Sequence, residues 1–353
     1  MLSGGRLFGE GMYGCIFTPS LQCKNKQDQP PLTEDKIHPP LSKIILRKDA
    51  ELEFSISKVI RKIPIWKNYF AVAESICEPA KKQTDKEIKD CEVLMDHSIN
   101  EFRILSMSYY GVPATTYRFH LDHFDFMGFV THFIQAGALL NLFGIVHRDI
   151  HQGNILIDSY DVPRIIDFNL AIPVELPLIE GALLHQYTYM ISQEPPDSTL
   201  VNAMHLVNTG HLKISADKVI EDIVIRKPIM KTITSVLHIS RDSMHQSMLS
   251  LYQRSKSIKT GDSDTWFHTY WRTIDSWAIG INLVDFIRKL SIWPSFRPIL
   301  AKNKAILFPM LQRMCAVSPI DRIDCVQALY HLDPTNFIIK KYGKAWIDKV
   351  GAM

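Results

Sequence analysis

The chain has 353 residues, 46% hydrophobic and 22% charged, the balance of a globular protein large enough for two lobes and a sizeable core. A formal charge of +3 is too small a field to hold nucleic acid or an anionic membrane, and no apolar run approaches the roughly 18 to 20 residues of a membrane span. The N-terminal Met-Leu-Ser-Gly-Gly-Arg has no signal-peptide core, and the six cysteines (Cys15, Cys23, Cys77, Cys91, Cys315, Cys325) form no Cys-x-x-Cys pair; reduced thiols, no zinc site and a cytoplasmic setting are expected.

The first organised stretch is Gly9-Glu-Gly-Met-Tyr-Gly-Cys-Ile16. A dinucleotide-binding turn would open a helix directly after its glycines. Here Ile16-Phe-Thr-Pro19 continues as a strand, which predicts a glycine hairpin able to close over phosphates without a Cβ in the way. Residues 19–40, rich in Pro, Lys, Gln and Asp, read as an exposed loop. Leu41–Leu46 is the next strand, with Lys43 its only lysine. From Asp49 to Ile63 the residues Leu52, Ile56, Val59, Ile60 and Ile63 fall on one side of a helix that Pro64 ends. Glu51 and Glu53 both compete for Lys43, and Glu53 is favoured because it shares the face of Ile56 and Ile60. Phe102 to Gly111 has strand character and stops at Gly111-Val-Pro113. Phe129, Phe133, Ala136 and Leu140 then recur at helical spacing between Asp122 and Leu142, with Asp122 as the expected cap.

The densest chemistry follows. Ile145 to Ile157 contains His147-Arg-Asp149 and, five residues after the aspartate, Asn154; Ile165-Ile-Asp-Phe-Asn169 comes next. The apolar runs Ile155–Ile157 and Arg164–Ile166, joined by Asp-Ser-Tyr-Asp, predict a short hairpin that presents both segments on rigid strands. Phosphoryl transfer needs a carboxylate at the attacking hydroxyl and oxygen ligands for Mg²⁺, and this spacing supplies them. Gln193-Glu-Pro-Pro-Asp197, Ile274-Asp-Ser-Trp-Ala-Ile-Gly280 and Pro319-Ile-Asp-Arg322 lie further on. Between Asp197 and Asp275, Ile229, Ile233, Val236, Met244, Met248 and Leu251 keep helical spacing, so residues 198–270 are expected to fold as helices that pack on the bulk of the chain or serve substrate choice.

Together these motifs, from Gly9 to Leu329, resemble the eukaryotic-type protein kinase family, most nearly the divergent serine/threonine kinases of large DNA viruses. The resemblance implies an α+β, two-lobed kinase-like fold: a small β-rich lobe over residues 1–111 and a larger, mainly helical lobe over 112–353 carrying 198–270 as an insertion. It implies transfer of the ATP γ-phosphate to a serine or threonine hydroxyl on protein substrates, with ATP and Mg²⁺ bound, in host cytoplasm or a virion. Asp149 would be the catalytic base, Lys43 would clamp the α- and β-phosphates, Glu53 would orient Lys43, and Asn154 and Asp167 would hold the metal. Gly9, Gly11, Gly14, Ile16, Met107 (as gatekeeper), Tyr109 and Leu156 would enclose the nucleotide. Arg148 would meet a phosphate or acid from the activation segment, where Tyr187, Thr188, Tyr189 and Ser192 are candidate phosphosites. Asp275 would brace the catalytic loop, and Asp197 would pair with Arg322.

Three positions depart from the family pattern. Leu41 stands where a small residue lines the adenine pocket. Asn169 replaces the glycine of Asp-Phe-Gly, a place where asparagine tolerates positive φ better than most residues. His151 replaces a lysine two residues after the catalytic aspartate, making a permanent charge conditional on pH. A small-molecule phosphotransferase shares the flavour of this loop, but Asp275, Asp197 and Arg322 favour protein substrates. A non-catalytic scaffold would not need a complete reacting centre. The sequence carries no sign of oligomeric state.

Overall fold

The computed structural model describes residues 6–11, 14–28, 40–81, 83, 87–95, 97–178 and 181–353. Met12 and Tyr13 of the expected glycine hairpin and residues 29–39 of the expected loop lie outside them. The fold is α+β, 52% helical and 12% strand. Two compact units divide the chain: Met1–Val112 with Leu156–Asp158 and Arg164–Asn169, and the remainder from Pro113 onward.

The first unit contains strands β1 (Arg6–Gly11), β2 (Gly14–Thr18) and β3 (Leu41–Leu46), helix α1 (Arg47–Ile60), then β4 (Ser75–Cys77) and β5 (Phe102–Met107). The strands form one antiparallel sheet in the order β1-β2-β3-β5-β4. β3 is apolar at consecutive positions because both its faces are covered. Ile44 packs with Cys15, Phe17, Phe102 and Ile104 on one side; Ile45 packs with Ala50, Ala73 and Leu105 on the other. Side chains alternate along a strand, so Lys43 shares the face of Ile45, beneath α1. Gly14 has a steric role here: a Cβ on it would collide with the Ile44 carbonyl and the Ile45 side chain.

Three expectations for this unit need correction. Helix α1 begins and ends earlier than its apolar pattern suggests, and Leu52 is 46% exposed. The buried face is instead Ala50, Glu53, Ile56, Ser57 and Ile60, and Ile63 is buried beyond the helix end. The thiols are not all reduced: Cys15 is bonded to Cys91 and Cys23 to Cys77, leaving Cys315 and Cys325 free and buried in the second unit. The partners lie 76 and 54 residues apart, so no local spacing could pair them. Finally, the opening of the expected exposed loop is part of the core, since Leu21 and Cys23 are buried in the Ile44 cluster and the Leu21 N–H donates to Ser42 Oγ at 2.9 Å.

The second unit is helical: α2 (Phe126–Leu142), α3 (Pro196–Asn208), α4 (Ala216–Glu221), α5 (Pro228–Leu237), α6 (Arg241–Arg254), α7 (Lys256–Thr260), α8 (Ser263–Tyr270), α9 (Ile274–Leu290), α10 (Phe296–Met314) and α11 (Cys325–Leu332). α2 and α9 are buried along most of their lengths and pack together, with α11 on α2 and both α5 and α10 on α9. Phe119 and Phe124 each meet Phe129 edge to face, and Phe286 meets both Phe119 and Phe129 the same way, around one end of this pair. The cap of α2 is Asp125, which accepts the Gly128 N–H at 2.9 Å, not Asp122. Residues 198–270 are folded as helices with Ile229, Ile233, Met244, Met248 and Leu251 buried, as their spacing predicts. No helix among the described residues is long and apolar enough to cross a membrane.

Candidate active site

In the first unit Lys43 Nζ lies 2.8 Å from Glu53 Oε2 and 3.7 Å from Asp167 Oδ1. The strand and the helix put it there. Lys43 points to the α1 side of the sheet, and Glu53 is three residues from Ala50 and three from Ile56 on the inward face, whereas Glu51 is exposed. Burial alone would lower the Lys43 pKa, yet the charges of Glu53 and Asp167 raise it on balance. One ammonium faces two carboxylates, leaving an excess negative charge. Asp167 Oδ1 is a buried acceptor with no hydrogen-bond donor among the described residues. A hard carboxylate oxygen in surplus negative charge suits Mg²⁺.

Asp167 also has the unusual backbone of its segment, with φ at +62°, while Asn169 does not take the left-handed conformation expected of it. Aspartate is among the non-glycine residues that accept this region most readily. Phe168, buried, meets Phe70 edge to face at 5.8 Å, which fixes the turn from behind. Among the residues expected around a nucleotide, Ile16, Met107, Tyr109 and Leu156 are each half-buried, and Phe8 packs edge-on to Tyr109 at 6.2 Å. Gly9 has open space where a Cβ would stand.

The loop of the His147-Arg-Asp149 motif belongs to the second unit. Buried Asp275, at the start of α9, accepts the backbone N–H groups of His147 at 2.7 Å and Arg148 at 3.0 Å. This double bond holds Arg148 in the left-handed region at φ +71°, a conformation that costs a non-glycine residue about 1–3 kcal/mol. Asn282, two turns along α9, donates to the Ile150 carbonyl at 3.0 Å. On this braced loop Asp149 Oδ2 accepts from Asn154 Nδ2 at 3.1 Å, and Asn154 Nδ2 also reaches the Asp149 carbonyl at 2.9 Å. With its amide nitrogen engaged at Asp149, Asn154 could offer a metal ion only its carboxamide oxygen. His151 lies 3.7 Å from Asp149 Oδ2, and its Nδ1 accepts the Gly153 N–H at 3.0 Å.

The segment that leads into α3 reaches the same aspartate: Gln193 Nε2 donates to Asp149 Oδ1 at 2.8 Å. Behind it, buried Glu194 accepts from His185 Nε2 at 3.0 Å, Ser198 Oγ at 2.9 Å and Thr199 Oγ1 at 3.1 Å. Burial raises the Glu194 pKa, but these donors and the charges of Lys227 and His185 leave it below the usual carboxylate range. The bond to Glu194 raises the His185 pKa in turn. Arg148 donates to the Ala182 carbonyl at 2.9 Å, and burial lowers its pKa despite the charges of Glu194, Asp275 and Asp149. Of the candidate phosphosites, Tyr187 has its hydroxyl buried, and burial with the Asp222 charge raises its pKa.

Arg322 Nη2 donates to Asp197 Oδ1 at 2.6 Å with both side chains fully buried, and the guanidinium stacks over Trp277 at 5.4 Å. Two residues of the 198–270 segment complete this wall, and no sequence signal marks them. Trp266 Nε1 donates to Asp197 Oδ2 at 2.9 Å. Lys227, 1% exposed, donates to Thr199 Oγ1 at 3.2 Å between the charges of Glu194 and Asp197. Lys227 is delivered inward where a π-helical turn (Asp222–Arg226) gives way to α5, which opens on Pro228. The one group with metal-ligand spacing elsewhere among the described residues, Glu10 with Cys15 and Cys91, is a carboxylate beside a disulfide and has no free thiolate.

Compared with known proteins, the chain matches no family model, and no curated protein is significantly similar to it.

Proposed function

We propose that this protein is an ATP-dependent protein kinase that phosphorylates serine or threonine hydroxyls on protein substrates. The observation that carries the reading is the Lys43 ammonium held at 2.8 Å by Glu53 and at 3.7 Å by Asp167, three residues from distant sequence positions that phosphoryl transfer requires together. The braced loop of Asp149 and Asn154 supports it from the second unit. A kinase-like two-lobed fold belongs to the same proposal.

In this reading Lys43 binds the α- and β-phosphates, and Glu53 keeps its ammonium from turning away. Asp167 in the first unit and Asn154 in the second would each offer an oxygen ligand to Mg²⁺, which when bound would neutralise charge on the phosphates. Asp149 orients the substrate hydroxyl with a carboxylate that Gln193 holds at Oδ1 and Asn154 at Oδ2. As the hydroxyl oxygen bonds to the γ-phosphorus and the bond to the ADP oxygen breaks, the hydroxyl proton passes to Asp149. His151 stands beside that carboxylate, 3.7 Å from its Oδ2.

The deciding experiment incubates the protein with labelled ATP, Mg²⁺ and generic protein substrates and identifies the phosphoamino acids formed. Label on serine and threonine is expected. Label on small-molecule acceptors alone, or none anywhere, overturns the reading.

A further inference from the structure

Gln193 does more than hold Asp149. Its side chain also lines a cavity of about 300 Å³ within the second unit. Its lining includes Pro228, Ile229 and Thr232, from the first turns of α5 in the inserted segment, and His151, Gln152, Ser192 and Gln193. Ile281, Asn282 and Asp285 of α9 lie beneath. The volume is at the small end of the range for binding sites, room for one side chain and some water.

The charge in this cavity is already satisfied. Asp285 Oδ1 accepts from Arg288 Nε and Nη2 at 2.9 and 2.8 Å, while Oδ2 accepts from Gln152 Nε2 at 2.8 Å and faces Lys289 Nζ at 3.2 Å. Its neutral polar groups, by contrast, still have bonds to give in place of water. The hydroxyls of Ser192 and Thr232 and the carboxamide oxygens of Gln193 and Asn282 make no side-chain hydrogen bond among the described residues; both amide nitrogens are engaged, at Asp149 and at the Ile150 and Ala278 carbonyls.

We infer that this cavity takes an asparagine or glutamine side chain of the protein substrate, at a fixed position near the phosphorylated residue. The inference rests on the proposed kinase reading. A charged side chain would need an unpaired counter-charge, and Asp285 has none to give. An apolar one would strand two carbonyl oxygens and two hydroxyls away from water. A carboxamide donates two hydrogens, accepts at its oxygen, and lays its methylenes on Pro228, Ile229 and Ile281.

A positional peptide library around a central serine or threonine tests this, with ATP and Mg²⁺. The wild type should favour Asn or Gln over Ala at one position by about tenfold in kcat/KM, roughly the net worth of one hydrogen bond. Thr232→Trp, which fills the cavity from the inserted helix, should bring that ratio close to one. Thr232→Lys should shift the preference at the same position toward Asp or Glu. A flat library, a preference for charged residues in the wild type, or a ratio unmoved by Thr232→Trp overturns the inference and leaves the kinase reading standing. Absence of transfer to every peptide and protein overturns both.

Discussion

The indole N–H of Trp266 donates to Asp197 Oδ2 at 2.9 Å, on the carboxylate oxygen that Arg322 leaves open. Asp197 is thus held from two sides, once by the pairing its sequence motif implies and once by a residue of the inserted segment. Sequence alone makes residues 198–270 an accessory that a short linker could replace without loss of chemistry. Trp266 and Lys227 change that expectation, because removing the segment would expose or unpair Asp197 and Glu194 beneath the loop that contacts Asp149.

Two substitutions separate the contributions. Arg322→Met leaves a fully buried carboxylate without its cation and should cost about 3–5 kcal/mol of stability. Trp266→Phe removes one hydrogen bond to the same carboxylate while keeping most of the ring volume, and should cost about 1.5–3 kcal/mol. Urea denaturation of both variants measures the order. A Trp266→Phe protein as stable as the wild type would mean the indole contact is incidental.

Lys227 should make stability depend on pH in the alkaline range. Burial lowers its pKa to about 8, despite the neighbouring charges of Glu194 and Asp197. An unfolded lysine titrates near 10.4. The unfolded chain therefore binds this proton more tightly between about pH 8 and 10.4, so the penalty is fully present below that window and is relieved as pH rises through it. Wild type should gain on Lys227→Met by up to about 1.4 kcal/mol per pH unit there. Paired denaturation curves near pH 7.5 and 10 check the sign, and a gap that does not change with pH rejects the buried lysine.

Asp149→Asn and Asp167→Asn should each remove nearly all phosphoryl transfer, Asp149→Asn by about 10²- to 10⁴-fold as expected for a lost general base. Asparagine is the appropriate replacement at position 167 because it tolerates the φ of +62° found there. Only Asp167→Asn should also weaken Mg²⁺-dependent ATP binding, which calorimetry with and without Mg²⁺ resolves. Turnover like the wild type in either variant would refute the assigned roles.

The cysteines offer a direct count. Protein denatured without reductant should titrate two thiols, from Cys315 and Cys325, and six after reduction. Six before reduction would show that the two bridges do not form in the isolated protein.

Local pattern was enough for much of this chain. The glycine hairpin, the strand of Lys43, the helices of 198–270 and the strands around Ile155–Ile157 follow from periodicity and turn residues, because such elements depend on neighbours a few positions away. The favoured choice of Glu53 over Glu51 also came from helical phase, although the helix is two residues out of its expected start. The buried wall under Asp197 could be half read: Arg322 has a motif, and Trp266 and Lys227 have none.

Tertiary structure alone decided the rest. Cys15 reaches Cys91 across 76 residues, and Lys227 reaches Thr199 across 28, only because sheet and helix packing bring remote backbone together. The left-handed turn settled on Asp167, not Asn169, where Phe168 had to reach Phe70. Sequence determines which side chains have the chemistry to bind phosphate and metal. Which of them lose their water, and therefore which charges must find one another, is set by packing, since the energy of an ion pair or a buried lysine depends on the surroundings that long-range contacts create.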